Sequence, residues 1–140
     1  MYVGSDGKLH FVDSEGVDSV LPFSGMDLEN PLWINTNTMA DEFRGQTISL
    51  DLSKCTAVLV KCKYFYAEAD DGRTSMTFCE VGKSSRMTVQ SDTNLSARCV
   101  FTARSVTVTK NSVVFTDSFK TDSNGYPYAY CIPLAIYGIK

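Results

Sequence analysis

The sequence predicts an all-β protein, an antiparallel β-sandwich or jelly-roll-like domain that follows a short N-terminal β-meander. Apolar and polar residues alternate along several short segments, which recur at intervals of about ten residues and are joined by polar turns. No stretch of eleven or more residues shows convincing helical periodicity, and residues 37–43 are expected to form at most one short turn. With 140 residues, of which 44% are hydrophobic, the chain is long enough to bury a core of its own.

The N-terminal residues contain a short repeat. Val3, Ser5 and Gly7 recur as Val12, Ser14 and Gly16 in the sequences VGSDG and VDSEG. S-D-G and S-E-G favour turns, so residues 2–3, 9–12 and 17–23 are predicted to form an antiparallel meander.

A sheet of this size cannot bury a core alone, so residues 1–25 are expected to pack on the main domain or on another copy of the chain. Two prolines and a glycine in the sequence PFSGMDLENP indicate a linker at 26–31, and the β-sandwich domain is assigned to 32–140.

The main domain begins with a series of alternating segments. Residues 57–66 show the strongest period of two, and residues 46–52 show a shorter one. Residues 74–81 and 85–90 are separated by Gly82, Lys83 and Ser84, which predicts a hairpin with glycine in its turn.

The last third of the chain continues the same pattern. Residues 97–103 and 106–115 read as strands, the second with a two-residue turn at Lys110 and Asn111. Residues 131–139 form the last apolar segment, where Pro133 favours an edge position or an irregular start.

Charge and hydropathy exclude several classes of function. Thirteen basic and sixteen acidic residues give a net charge of −3. Without a basic cluster, the chain is not expected to bind nucleic acid. No segment approaches the roughly 20 apolar residues that a membrane span needs, so membrane insertion is not expected. The first six residues lack the features of a secretory signal peptide, which predicts a protein made in a cytoplasm.

Catalytic and metal-binding patterns are weak. The only histidine, His10, has no neighbours in sequence that complete a nucleophilic triad, so we expect no enzyme activity. The acidic residues at 68–72 are expected to form a solvated hairpin tip rather than a calcium site, and no metal or cofactor is predicted. The five cysteines favour buried, reduced side chains, with an isolated disulfide formed after release from the cell as the alternative: Cys55, Cys62, Cys79, Cys99 and Cys131.

Aromatic residues supply the candidate binding site. In an extended segment, Tyr126, Tyr128 and Tyr130 lie on one face, about 7 Å apart in succession. Three roles remain open for this stripe: ligand contact, a subunit interface or core packing. The stripe follows a polar segment at 121–125. Trp33, the single tryptophan, is either a platform for a sugar ring or, as we favour, an anchor of the first strand.

The order of motifs in the main domain resembles a known family. These motifs are Leu32-Trp33-Ile34-Asn35-Thr36-Asn37, Phe43, QTISLDL at 46–52, the strand at 57–65 and Ile136-Tyr137-Gly138-Ile139-Lys140. In this order they resemble the C-terminal domains of tail-fibre, or receptor-binding, proteins from phages and prophages of Gram-positive gut bacteria. The resemblance covers residues 32–140, and the terminal segment departs from it by lacking a lysine before Ile136. The N-terminal meander resembles short repeats in virion-associated proteins of the same phages.

The resemblance implies a function without catalysis. A virion protein at the tip of a tail fibre would contact a glycan or protein on the bacterial surface, with Tyr126, Tyr128, Tyr130 and Trp33 as candidate contact residues. Fibre tips are usually homo-oligomers, most often trimers, and they gain avidity from several weak sites. The chain is then expected to be either the tip of a longer fibre or a small separate virion protein, and its starting Met1 favours the second.

Two other functions remain open. A structural virion protein, in capsid decoration, a head fibre or a tail assembly, would dock on other virion proteins by strand addition through its N-terminal segment. A depolymerase that cuts surface polysaccharide would need two carboxylates across a cleft, and no spacing in the sequence identifies such a pair.

Overall fold

All regular structure that the computed structural model describes is β, which confirms the predicted fold class. The described residues are 2–3, 5, 9–20, 27–38, 43–66, 69–90, 101–120 and 129–140. The strands in chain order are β1 (Tyr2–Val3), β2 (Leu9–Val12), β3 (Asp18–Val20), β4 (Trp33–Ile34), β5 (Gln46–Ser49), β6 (Ala57–Tyr66), β7 (Ala69–Glu80), β8 (Ser84–Gln90), β9 (Phe101–Val108), β10 (Ser112–Phe115), β11 (Phe119–Lys120) and β12 (Ala129–Ile139).

The first three strands form the antiparallel meander that the repeat predicts, in the order β1-β2-β3. Its second turn depends on Asp13 and Gly16. Gly16 has a φ of 81°, a left-handed conformation that favours glycine, and its N–H donates to the Asp13 carbonyl at 3.1 Å. The Asp13 carboxylate accepts the N–H groups of Glu15 and Val17, each at 2.9 Å.

One sheet of the sandwich has the strand order β4-β12-β6-β7. Its long strand β6 spans Ala57–Tyr66, the bounds that the alternation predicts. β12 as a whole lies between β4 and β6, but Pro133 precedes Ala135, where the pairing with β4 begins, so the proline lies outside the part of β12 that is paired on both sides. The register shifts between Pro133 and Ala135, and this irregularity accommodates a residue that has no N–H to donate.

The other sheet is organised around β9, which pairs with β8 on one flank. On its other flank β10 and β11 lie end to end, and β5 pairs with β10. The turn predicted at Lys110 and Asn111 is confirmed, since the Thr109 N–H donates to the Ser112 carbonyl at 2.9 Å. Segment 46–52 is shorter than predicted as a strand and ends at Ser49, and residues 97–100 and 39–42 of two other predicted elements lie outside the described ranges.

The hairpin predicted for residues 74–81 and 85–90 is wrong, although both strands exist. β7 belongs to the first sheet and β8 to the second, and the turn at Gly82, with a φ of 86°, carries the chain from one sheet to the other. The apolar side chains of the two strands, such as Cys79 and Met87, are buried in the same core. Pairing in different sheets lets the apolar sides of both strands cover that core.

The core lies between the two sheets and is lined by alternate residues of the long strands. Its buried members include Leu52, Val58, Val60, Val106, Val108, Val113, Phe115 and Ile136. Cys62, Cys79 and Cys131 are buried there as free thiols and Cys55 is half-buried, as predicted for a reduced protein, while Cys99 lies outside the described ranges.

Candidate functional site

The strand registers bring several chain connections to one end of the sandwich. In the first sheet β6 ends and β12 begins at the pair Tyr66 and Ala129. In the second sheet β8 ends and β9 begins at the pair Gln90 and Phe101. Arg104 of β9 donates to the Cys131 carbonyl of β12 at 3.0 Å, so these two strand ends lie at the same end of the molecule. We call it the tyrosine end, because the segment that precedes β12 carries the tyrosine stripe.

Three of the connections join strand ends that lie at the tyrosine end. They are residues 67–68 between β6 and β7, residues 91–100 between β8 and β9, and residues 121–128 between β11 and β12. The turns at 50–56, 81–83 and 109–111 lie at the opposite end, where the Val81 N–H donates to the Thr56 carbonyl and the Leu52 N–H donates to the Lys110 carbonyl. Connections grouped at one end of a rigid sandwich are a frequent place for binding residues.

Of the three stripe tyrosines, the structure describes Tyr130, while Tyr126 and Tyr128 lie outside the described residues. Tyr130 is half-buried in β12, opposite Phe65 of β6, and packs against the hydrophobic core cluster. Its place at the start of β12 fixes where the stripe enters the sandwich.

Trp33 is not brought together with Tyr130. Trp33 pairs with Ile136, which lies six residues after Tyr130 in β12. Trp33 and Tyr130 are therefore about 20 Å apart along the strand. The half-buried ring of Trp33 packs on the core, with centroid distances of 6.2 Å to Phe43 and 6.4 Å to Phe115. This packing is what the anchor interpretation of Trp33 expects, and its role in ligand contact stays a prediction.

A buried arginine near the tyrosine end was missed by the sequence reasoning. Arg104 is fully buried, and its Nε and Nη1 donate to the carbonyls of Cys131 and Thr116 at 3.0 and 2.5 Å. Its guanidinium carbon lies 5.0 Å from the centre of the Phe43 ring, within the range of a cation–π interaction. Alternation along β9 is the signal that could have found it, because Arg104 shares the inward face of Val106 and Val108.

Arg104 and Ser118 satisfy the backbone of β12 where β4 does not reach. β4 pairs only with Ala135 and Ile136, so the edge of β12 at Cys131 needs other partners. The Cys131 carbonyl accepts from Arg104, and the Cys131 N–H donates to Ser118 Oγ at 2.9 Å. The side chains of Arg104, in β9, and Ser118, just before β11, thus form hydrogen bonds to the beginning of β12, where the tyrosine segment ends.

Two thiols share the interior near Arg104. The hydrogen bond between Cys131 and Cys62 lowers the pKa of Cys62, while the same bond and burial raise the pKa of Cys131. Cys62 Sγ also lies 3.0 Å from Ser75 Oγ. Both side chains are fully buried, so the pair faces the core and not an external substrate.

Within the described residues, no three His, Cys, Asp or Glu side chains cluster as metal ligands would. In the part of the chain that the structure describes, no helix has the length and hydropathy of a membrane span.

Comparison of the chain with protein-family models, with curated proteins and with solved structures found no match.

Proposed function

We propose that the protein is a non-enzymatic phage virion protein whose β-sandwich is the receptor-binding tip of a tail fibre. The observation that carries the proposal is that the strand ends Tyr66, Gln90, Phe101, Lys120 and Ala129 lie at one end of the sandwich, and the tyrosine segment 121–128 connects two of them in sequence. Connections held by a rigid sandwich offer a surface on which a bacterial glycan or protein can be bound. The resemblance of residues 32–140 to tail-fibre tips supports the same function.

The proposed mechanism is adsorption by aromatic contact. Tyr126 and Tyr128 supply flat rings with polar tips, which contact a sugar ring or a protein surface at a small cost in side-chain entropy. Tyr130, packed against the core cluster, fixes the end of the segment. In a virion homo-oligomer, a trimer by the family resemblance, several weak sites act together and raise the avidity.

Binding to whole cells tests the proposal. The fluorescently labelled full chain is applied to a panel of Gram-positive gut bacteria and to glycans prepared from their walls. We expect saturable binding to some members, and a loss of at least about tenfold in affinity for the double variant Tyr126→Ala/Tyr128→Ala.

The control is the double variant Tyr126→Phe/Tyr128→Phe, which keeps both rings and should keep most of the affinity. Circular dichroism shows whether each variant is folded. Folded wild-type protein that binds no cell and no glycan, as a monomer or as an oligomer, contradicts the adhesin proposal.

A second candidate is a structural virion protein in the capsid or the tail, docked through its N-terminal segment. The observation that favours it is the separate meander sheet β1-β2-β3, which has strand edges available for addition to another protein. Deletion of residues 1–25 should then abolish incorporation into particles while the sandwich stays folded. Normal incorporation of the truncated chain would exclude this docking mode.

A further inference from the structure

The outward side of the first sheet exposes apolar side chains around a lysine. The cross-strand row Ile34, Ala135, Lys61 and Met76 crosses all four strands, a width of about 14 Å. Phe78, two residues after Met76, lies on the same side. Ile34, Met76 and Phe78 are 59%, 47% and 53% exposed, which is unusual for large apolar residues grouped on one sheet. We call Ile34, Lys61, Met76 and Phe78 the outer patch.

The second turn of the meander has the complementary character. Val12 and Val17, on either side of the turn, are 49% and 52% exposed, and Glu15 is exposed at its tip. Residues 9–20 contain Asp13, Glu15 and Asp18 and no lysine or arginine. We call residues 12–17 the meander turn.

Lys61 is half-buried, but the apolar residues of the outer patch and Val12, Glu15 and Val17 of the meander turn are exposed in the single chain, so the meander turn does not cover the outer patch of its own molecule. Self-association of two outer patches about a two-fold axis would bring Lys61 close to Lys61 of the other copy, which is electrostatically unfavourable. A partner with apolar and acidic side chains fits the patch better, and the meander turn of another copy has both.

We propose that the meander turn of one copy docks on the outer patch of a second copy, with Glu15 beside Lys61 and the two valines on Met76 and Phe78. Different surfaces of the two copies meet in this contact, so it propagates from chain to chain and closes into a ring when the rotation per copy allows. The inference rests on one part of the proposed function, the homo-oligomer, and it states which surfaces of the chain form the contact between copies. Receptor binding by the tyrosine end is measured separately, with the tyrosine variants.

Charge reversal tests the contact. The mass of the full chain is measured by light scattering on a sizing column over a range of concentrations, for wild type, Lys61→Glu, Glu15→Lys and the double variant. We expect an oligomeric wild type, at least about tenfold weaker association for each single variant, and recovery in the double variant. Lys110→Glu is the matched control, because this exposed lysine lies in the β9–β10 turn of the other sheet and should not change association.

Phe78→Ser tests the apolar part, and deletion of residues 1–25 removes the meander turn altogether. Both should yield folded monomers by circular dichroism and light scattering. A monomeric wild type at high concentration, an oligomer that survives the deletion, or a double variant no better associated than the single variants would each overturn the proposal. If Phe78→Ser fails to fold, the charge-reversal series still decides the question.

Discussion

At the scale of single residues, Arg104 joins the two sheets through its guanidinium. It reaches from β9 to the carbonyl of Cys131 in the opposite sheet and to that of Thr116 beside its own strand. A buried cation is stabilised here by hydrogen bonds and by the Phe43 ring. The beginning of β12 is therefore held in part by a side chain of the other sheet.

Arg104→Met is expected to lower the free energy of unfolding by about 3 kcal/mol, because the buried Cys131 carbonyl and the partly buried Thr116 carbonyl lose a charged donor. Urea unfolding followed by tryptophan fluorescence measures the change through Trp33. Arg86→Met is the control, since Arg86 is exposed on β8 and its replacement should change the stability by less than about 0.5 kcal/mol. Equal effects of the two substitutions would contradict the role assigned to Arg104.

A second residue-scale prediction concerns the turn before β6. The hydroxyl of Ser53 donates to Asp51 at 2.6 Å, and this hydrogen bond, followed by that of the Ser53 N–H, lowers the pKa of Asp51 below 3.8. Because the folded pKa is lowered, the stabilisation is present above pH 4 or so and is lost as the pH falls through the folded pKa. Ser53→Ala should raise the pKa of Asp51 toward 3.8.

Carbon-detected NMR titration of the Asp51 carboxyl group measures that shift. Ser53→Thr keeps a hydroxyl group and should keep the lowered pKa. An unchanged Asp51 titration in Ser53→Ala would show that the backbone N–H alone stabilises the carboxylate.

At the scale of elements, the β7–β8 turn transfers the chain between sheets through Gly82. A Cβ at this position would meet no atom within 4 Å, so the cost of a side chain comes only from the left-handed φ of 86°. Gly82→Ala should therefore lower the free energy of unfolding by about 1 to 2 kcal/mol, measured by urea unfolding. Gly82→Asn should cost less, since asparagine tolerates this conformation, and a larger loss for asparagine than for alanine would contradict the explanation.

The strand predictions are correct where the local sequence determines the structure, and they are wrong where it depends on which sheet a strand joins. The bounds of β6 follow from an apolar residue at every second position from Val58 to Tyr66, and the β9–β10 turn follows from Lys110 and Asn111. Gly82 marks a turn but carries no information on which sheet each neighbouring strand joins. Pro133 favours an edge or an irregular position, and in the fold it lies before the part of β12 that pairs with β4 and beside a shift in register.

The candidate site is predicted less completely than the strands. The tyrosine stripe is visible in the sequence because three tyrosines alternate. The strand ends that flank this stripe and segments 67–68 and 91–100 are brought to one end of the sandwich by long-range strand pairing, which no local pattern encodes. Arg104 has a local signal in its alternation with Val106, but a charged residue at an inward position is usually assigned to the surface.

At the scale of the whole molecule, the meander and the sandwich are separate sheets. Deletion of residues 1–26 should leave a sandwich that still unfolds in one cooperative transition, because its core lies between the two larger sheets. Thermal unfolding by circular dichroism, compared with the full chain at a concentration where both are monomeric, measures this. Loss of cooperativity on deletion would show that the meander contributes to the sandwich core.

The position of β4 determines how its hydrogen bonds to β12 would bear a pulling force. The chain enters β4 at Leu32, whose N–H donates to Ile136, and Asp27 before it lies close enough to Lys140 to sense its charge. The entry point is thus toward the end of β12 opposite the tyrosines. A pull between Leu32 and the beginning of β12 runs along the strands and perpendicular to the hydrogen bonds between β4 and β12. These bonds would share the load in shear instead of opening one after another.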